Sequence, residues 1–172
     1  MDNAFVTLAL GSLNCFLRDH YSGEVGQIDP QLLHLLHHVR RELGVQTPFQ
    51  VISGYRSPKT NATLRNTRSG GVAKRSLHME GQAIDVRLPG VPLAELREAA
   101  LSLRLGGVGF YPRDRFLHLD TSRVRNWQVR PANALAHTAR QRALAFLFLP
   151  RIPKHETAHF LHCPVFQASK KA

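Results

Sequence analysis

The chain has 172 residues, of which 43% are hydrophobic and 20% are charged. This length fits one domain with room for an appendage, and the composition excludes a disordered or collagen-like protein. Lysines and arginines number 23 against 12 acidic residues, a formal net charge of +11 at pH 7. A basic surface of this kind suits nucleic acid, anionic lipid or an anionic cell-wall polymer, although scattered solvated arginines would give the same charge.

The chain begins with an apolar stretch over residues 8–15 that faintly resembles an export signal. It lacks a positively charged start, since Asp2 is the only charge before Arg18. We therefore interpret it as the beginning of the domain and expect any true signal to lie upstream. No apolar run approaches the ~20 residues of a membrane helix, so we expect no transmembrane segment.

Three elements are predicted in the next part of the chain. Leucines at helical spacing predict a helix from Pro30 to Gly44, where proline suits the first position and glycine the end. A short strand follows over 49–52. Ser57 before a proline is typical of a helix start and predicts a helix over about 58–67.

The later elements are mostly short strands. Alternation predicts a strand over 83–88, helical spacing predicts a helix over 93–103, and residues 108–111 and 116–120 are typical of a hairpin. Helices that come first and strands that come later favour an α+β fold with a small, mainly antiparallel sheet flanked by helices.

The character of the sequence changes after Trp127. We assign residues 1–132 to the main domain and 133–172 to a basic C-terminal appendage. Its Ala/Leu-rich part, residues 133–149, predicts one helix, and the proline-containing remainder predicts weak order.

The segment with the most chemistry runs from Ser76 to Asp85. It places His78 and Asp85 on either side of Gly81, which allows a tight turn. In a strand, Asp85 projects from the face opposite to its apolar neighbours.

A second polar pair lies in the strand predicted over 116–120. His118 and Asp120 share one face, while the leucines between and before them point to the core. Two neighbouring strands thus offer histidine and carboxylate groups to one place, which is a typical zinc ligand set. With ten histidines in the chain, such spacings also arise by chance.

The residues around these groups resemble a known family, the bacterial murein endopeptidase K family of the zinc D-Ala-D-Ala peptidase (LAS-type) superfamily. The similarity runs over about residues 13–127, in ordered and correctly spaced motifs. The motifs are Leu13-Asn14-x-Phe16-Leu17-Arg18-Asp19, Ile28-Asp29-Pro30, Val51-Ile52-Ser53-Gly54-Tyr55-Arg56-Ser57, Gly71-Val72-Ala73-Lys74, Ser76-x-His78-x-x-Gly81-x-Ala83-x-Asp85, Gly106-Gly107-Val108-Gly109-x-Tyr111-Pro112-Arg113 and Phe116-x-His118-x-Asp120-Thr121.

The resemblance implies a compact α+β zinc peptidase that hydrolyses peptide crosslinks of peptidoglycan with zinc-activated water. It implies that the zinc ligands are His78, Asp85 and His118. The substrate-binding residues that it implies are Ser76, Tyr55 and Arg56. The Arg56 guanidinium suits either the oxyanion of the tetrahedral intermediate or a substrate carboxylate, so Arg56 also counts as a catalytic candidate.

The general base is the point where the chain departs from its superfamily. Many members carry a catalytic glutamate three residues before the last histidine ligand, and this chain has Arg115 there. We take Asp120 as the base, because it matches the family's own His-x-Asp pattern. Asp114 is another candidate for the base. The alternative interpretation of Asp120 is a structural role or a role in supporting a metal ligand.

Two other groups of histidines offer competing metal-binding patterns. His155-Glu156-Thr157-Ala158-His159 matches the H-E-x-x-H zinc pattern, but it lies in a short stretch between prolines. His34 and His38 lie one helical turn apart, an arrangement more typical of exposed surface histidines than of a metal site.

The sequence therefore predicts a zinc-dependent peptidoglycan peptidase of the murein endopeptidase or D,D-/L,D-carboxypeptidase type. The alternative is a non-catalytic zinc-containing domain that binds the cell wall, which Arg115 keeps open. Charge alone supports a nucleic-acid-binding module, and we expect no nucleic-acid partner. By family resemblance we expect a periplasmic or cell-envelope protein, and a monomer.

Overall fold

The computed structural model describes residues 3–67 and 72–129, with side chains from residue 7 onward. These residues contain four α-helices: α1 (Asn3–Phe16), α2 (Pro30–Glu42), α3 (Pro58–Thr67) and α4 (Leu93–Leu103). None of these helices is long and apolar enough to cross a membrane. The predicted appendage, residues 133–172 with the His155–His159 motif, lies outside the described residues and stays a prediction.

Five strands form one sheet. They are β1 (Gln50–Ser53), β2 (Ala83–Arg87), β3 (Gly107–Tyr111), β4 (Phe116–Asp120) and β5 (Arg125–Gln128), in the order β1-β2-β4-β3-β5. The pairs β1–β2, β2–β4 and β3–β4 are antiparallel, and β3–β5 is parallel. The predicted α+β class is confirmed, and so is the mainly antiparallel character of the sheet. The sequence did not predict α1 or β5.

One face of the sheet is covered by helices and forms the core. Alternate residues of β2 and β4 are buried there together with apolar residues of α2 and α4. These residues are Ile84, Val86, Leu117, Leu119, Leu32, Leu35, Val39, Leu96 and Ala100. Because successive side chains of a strand point to opposite faces, the residues between them project from the other face of the sheet.

The helix α2 is anchored to the sheet through Asp29, the residue that caps its start. Asp29 precedes α2, and its Oδ1 accepts a hydrogen bond from the backbone N–H of Gln31 at 2.9 Å. Its Oδ2 accepts a hydrogen bond from the hydroxyl of Thr121 at 2.9 Å, directly after β4. One side chain thus caps a helix and fixes that helix to the strand carrying His118.

A buried carboxylate, Asp19, joins the end of α1 to the start of α3. It accepts hydrogen bonds from the backbone N–H of Ser57 at 2.8 Å and from the backbone N–H of Tyr21 at 2.9 Å. Burial alone would raise the pKa of Asp19, but hydrogen bonds from Thr60 and Ser57 outweigh it and hold that pKa well below its usual range. The charged form of Asp19 therefore stabilises the fold.

We expect Asp19→Asn to lower the free energy of unfolding by about 1–3 kcal/mol at pH 7, because an amide is a weaker acceptor for buried N–H groups. A folded-state pKa below the unfolded value of ~3.9 adds stability that is full above about pH 4 and falls under more acid conditions. The difference from wild type should therefore shrink below pH ~4. Urea titrations at pH 7 and pH 3 measure this difference. Glu98→Gln removes a carboxylate that is 70% exposed and should change little at either pH.

Candidate active site

A row of residues crosses all five strands on the face opposite to the core. The strand registers place Ser53 beside Asp85, Asp85 beside His118, His118 beside Gly109 and Gly109 beside Trp127. The alternation predicted for β2 and β4 therefore brings a carboxylate and an imidazole side by side, away from the apolar core.

Three donor atoms converge at this row. His118 Nδ1 lies 2.9 Å from Asp85 Oδ1, and His78 Nε2 lies 3.4 Å from the same oxygen and 3.3 Å from His118 Nδ1. Ligands ~2.0–2.1 Å from a tetrahedral zinc ion lie about 3.3 Å from one another. The triangle of donors has this size, so His78, Asp85 and His118 form a group that could hold a metal ion.

His78 is positioned by a single turn of 3-10 helix, Leu77–Glu80. Its Nδ1–H donates to the carbonyl of Gly54 at 2.8 Å, and its own carbonyl accepts the N–H of Arg56 at 3.1 Å. Because Nδ1 carries the proton, the lone pair of Nε2 faces Asp85 and His118. Such a bond to the second ring nitrogen is what orients a histidine as a metal ligand.

Gly81 ends this turn and leads into β2. Its φ of 67° is left-handed, and a Cβ on it would lie 1.8 Å from the carbonyl oxygen of Gln27. Its own carbonyl accepts the N–H of Asp29 at 3.0 Å. The glycine expected to allow a tight turn between His78 and Asp85 thus also allows a close approach of two backbone segments.

His118 is held by carboxylates at both ring nitrogens. Its Nδ1 faces Asp85, and its Nε2 lies 3.2 Å from Asp120 Oδ2. Burial alone would lower the pKa of His118, but its hydrogen bonds to Asp120 and Asp85 raise it to about 9. Burial alone would raise the pKa of Asp85, but the two neighbouring imidazoles, His78 and His118, lower it overall.

Asp120 is fully buried and both of its oxygens have partners. Arg125 Nη2 donates to Oδ2 at 2.8 Å and Arg125 Nη1 donates to Oδ1 at 3.0 Å. The hydroxyl and N–H of Ser122 donate to Oδ1 at 2.6 and 3.0 Å, and the N–H of Gly107 donates at 3.3 Å. Burial alone would raise the pKa of Asp120, but the bonds from His118, Ser122 and Arg125 hold it below its usual range.

The substrate-binding candidates lie at different distances from the donor group. Arg56 Nη2 lies 4.0 Å from Asp85 Oδ2. Ser76 is buried and immediately precedes the 3-10 turn. The Tyr55 ring packs against the backbone of Gly26, where an added Cβ would lie 2.1 Å from the ring.

The turn between β3 and β4 contains Asp114, the other candidate base, and Arg115, which stands where many superfamily members carry a glutamate. Asp114 and Arg115 are both exposed there, and Arg115 has a φ of 56°. Arg87 holds this turn, because its guanidinium donates to the carbonyls of Asp114 and Arg115.

The residues on β5 were not among the predicted site residues. Arg125 contacts Asp120 as described above, and the Trp127 ring lies 5.3 Å from the His118 ring, centroid to centroid. The alternation of Arg125 and Trp127 in a four-residue strand was the available signal. It is too short and too polar to predict a strand from periodicity.

A His-Asp-His group on an α+β scaffold defines a candidate metal-dependent hydrolase. A family model described as peptidoglycan L,D-endopeptidase MepK, Peptidase_M15_2, matches residues 1–127. The chain belongs to this family, which confirms the resemblance inferred from the sequence and the predicted class, a metallopeptidase.

Curated relatives agree with the family model. The Escherichia coli K12 protein named peptidoglycan L,D-endopeptidase MepK is 47% identical over 123 residues, which are 72% of this chain and 67% of that protein. The Haemophilus influenzae protein named probable peptidoglycan L,D-endopeptidase MepK is 43% identical over 125 residues, with the same two shares. No solved structure gives a significant match.

We expect Gly81→Ala to displace His78 and to lower the thermal stability of the protein more than Gly90→Ala does. The added methyl group would collide with the Gln27 carbonyl, and the left-handed φ adds a further cost. Gly90→Ala is the matched control, since Gly90 has a φ of +84° and nothing within 4 Å of an added Cβ. The control isolates the backbone cost, about 1–2 kcal/mol. Thermal unfolding of both variants measures the difference, and equal stability would contradict the close approach at Gly81.

Proposed function

We propose that this chain is a zinc-dependent peptidoglycan endopeptidase that cleaves L,D peptide crosslinks. The single observation that carries the proposal is the His78, Asp85 and His118 donor triangle inside a chain of this family. The bond type follows the names of the relatives. The cell envelope, where peptidoglycan lies, is the proposed location, and a monomer is the proposed working form.

Zinc fits the donor set better than calcium or magnesium does. Two imidazoles and one carboxylate suit zinc, whereas calcium and magnesium prefer oxygen ligands alone. A catalytic zinc site keeps a fourth position open beyond three protein ligands. When bound, zinc supplies Lewis-acid polarisation of the scissile carbonyl and activation of water at neutral pH.

Arg56 stabilises negative charge on the substrate in this proposal. Its guanidinium is largely buried and lies 4.0 Å from Asp85 Oδ2, so its positive charge is close to the donor triangle and weakly screened. It would hold the oxyanion that develops when the carbonyl is attacked, or a stem-peptide carboxylate. Ser76, adjacent to the turn that carries His78, would hydrogen-bond the substrate peptide, and Tyr55 would line the binding surface.

In this proposal Asp120 orients His118 and is not the general base. A general base needs an oxygen that can reach a proton on the substrate or on water. Asp120 is fully buried, and its oxygens already accept bonds from His118, Arg125 and Ser122. A carboxylate behind a ligating histidine fixes the ring and increases its basicity.

The first test concerns the metal. We expect about one zinc ion per chain by elemental analysis. His78→Ala and His118→Ala should lose it, since two donors cannot hold the ion. The double variant His155→Ala/His159→Ala is the control and should keep full zinc. Retained zinc in both single variants, with loss in the double variant, would move the site to the H-E-x-x-H motif.

The second test concerns the reaction. Purified full-length protein should convert crosslinked muropeptide dimers to monomers, and a chelator should stop this until zinc is restored. Chromatography and mass spectrometry of the products identify the cleaved bond. Shortened stems with intact dimers would indicate a carboxypeptidase. Wall binding without any product would establish the non-catalytic alternative.

The third test separates the two roles of Asp120. If Asp120 orients His118, Asp120→Ala should weaken zinc affinity about 10–100-fold. If Asp120 is instead the general base, Asp120→Ala should lower the rate about 100-fold or more and leave the zinc affinity unchanged. Asp114→Asn, the exposed alternative, should change neither quantity. A loss of rate in Asp114→Asn alone would assign the base to Asp114.

A further inference from the structure

We propose that Arg125 and Trp127 of β5 are positioning residues that hold His118 in its ligating orientation, across a strand kept clear by Gly107 and Gly109. This inference rests on the proposed function for its catalytic meaning. The contacts that support it belong to the folded chain and do not depend on a substrate.

The strand registers bring these residues together in two parallel rows. Gly107 pairs with Asp120 on one side and with Arg125 on the other. Gly109 pairs with His118 on one side and with Trp127 on the other. In each row, a glycine on β3 separates a site residue on β4 from a long side chain on β5.

Both glycines occupy positions where a side chain would collide with this arrangement. A Cβ on Gly107 would lie 2.4 Å from Asp120 Oδ2 and 2.6 Å from Arg125 Nη1. A Cβ on Gly109 would lie 2.5 Å from Cζ2 of Trp127. The site face of β3 is therefore open backbone, and the β5 side chains lie directly over it.

Arg125 balances the buried charge that orients His118. It binds both oxygens of Asp120, with bonds of 2.8 and 3.0 Å from its two Nη atoms, and it also contacts the hydroxyl of Ser122. A guanidinium that donates hydrogen bonds to both oxygens fixes the plane of a carboxylate, whereas a cation that contacts one oxygen does not. The plane of Asp120 in turn sets where Oδ2 meets His118 Nε2.

Trp127 restrains the same imidazole from the side. Its ring centroid lies 5.3 Å from that of His118 at an interplanar angle of 53°. The indole is itself fixed, because its Nε1–H donates to the Tyr111 hydroxyl at 3.3 Å and the Arg125 guanidinium lies 5.0 Å from its ring centroid. A flip of His118 would exchange its two nitrogens, and these contacts oppose it.

The test compares Arg125→Gln with Arg123→Gln in the full-length protein. Arg123 is exposed two residues away, so its substitution removes the same charge without touching Asp120. We expect Arg125→Gln to weaken zinc affinity about 10–100-fold, measured by competition with a chromophoric chelator. The visible spectrum of the cobalt-substituted protein should change in Arg125→Gln and stay the same in Arg123→Gln. Arg125→Lys keeps the charge but loses the two-bonded geometry, so it should restore only part of the affinity.

A second measurement needs no metal and separates this inference from the proposed function. In the metal-free protein, nitrogen-15 NMR of the imidazoles should show a slowly exchanging Nε2–H on His118. This signal should weaken in Arg125→Gln and in Trp127→Phe. Trp127→Phe keeps an aromatic ring, and it serves as the test variant if Arg125→Gln does not fold. Unchanged signals in the folded variants, or unchanged cobalt spectra, would overturn the positioning role. If the variants show these NMR effects but the wild-type protein cleaves no peptidoglycan, only the proposed function is overturned.

Discussion

Two aspartates buried on one face of the sheet set the arrangement of the whole site. Asp85 and Asp120 lie on adjacent strands, and a buried carboxylate is costly unless partners compensate its charge. Asp85 faces His78, His118 and Arg56, and Asp120 faces His118 and Arg125. His118 lies between the two acids, which explains why its pKa rises to about 9 although it is largely buried. Burying these acids therefore depends on the same cations and imidazoles that the proposed chemistry would use.

The sequence predicted the half of the site that depends on local patterns. Alternation in β2 and β4 placed Asp85, His118 and Asp120 on one face, and Gly81 indicated the tight turn after His78. Both signals act over fewer than ten residues, so they can be detected without knowing the fold. The α+β class was predicted from helices early in the chain and a hairpin late in it. That class holds, although β1 lies between α2 and α3 and α4 lies between β2 and β3.

The other half depends on pairings that no local pattern encodes. β5 joins the sheet in parallel next to β3, and its alternation of a cation and an aromatic residue also fits an exposed loop. Only the register shows that Gly107 and Gly109 lie between Arg125 and Asp120 and between Trp127 and His118. The occupied oxygens of Asp120 were equally hard to predict. Its partners His118, Ser122 and Arg125 lie within five residues of it and Gly107 lies 13 residues away, but only the folded geometry shows that they converge on its carboxylate. The pattern could place this acid near the metal site, but it could not show that its oxygens are occupied.

The turn between β3 and β4 explains why Arg115 can stand where many superfamily members carry a glutamate. Arg115 is exposed with a φ of 56°, and Arg87 fixes the turn through the carbonyls of Asp114 and Arg115. These bonds use the backbone of the turn, so they do not depend on the side chain at position 115. The position is thus free to hold a cation, which adds positive charge at the end of the hairpin that carries His118. In the proposed reaction, proton transfer therefore involves a group other than residue 115, and in our proposal Asp120 and β5 support the donor triangle from the opposite side.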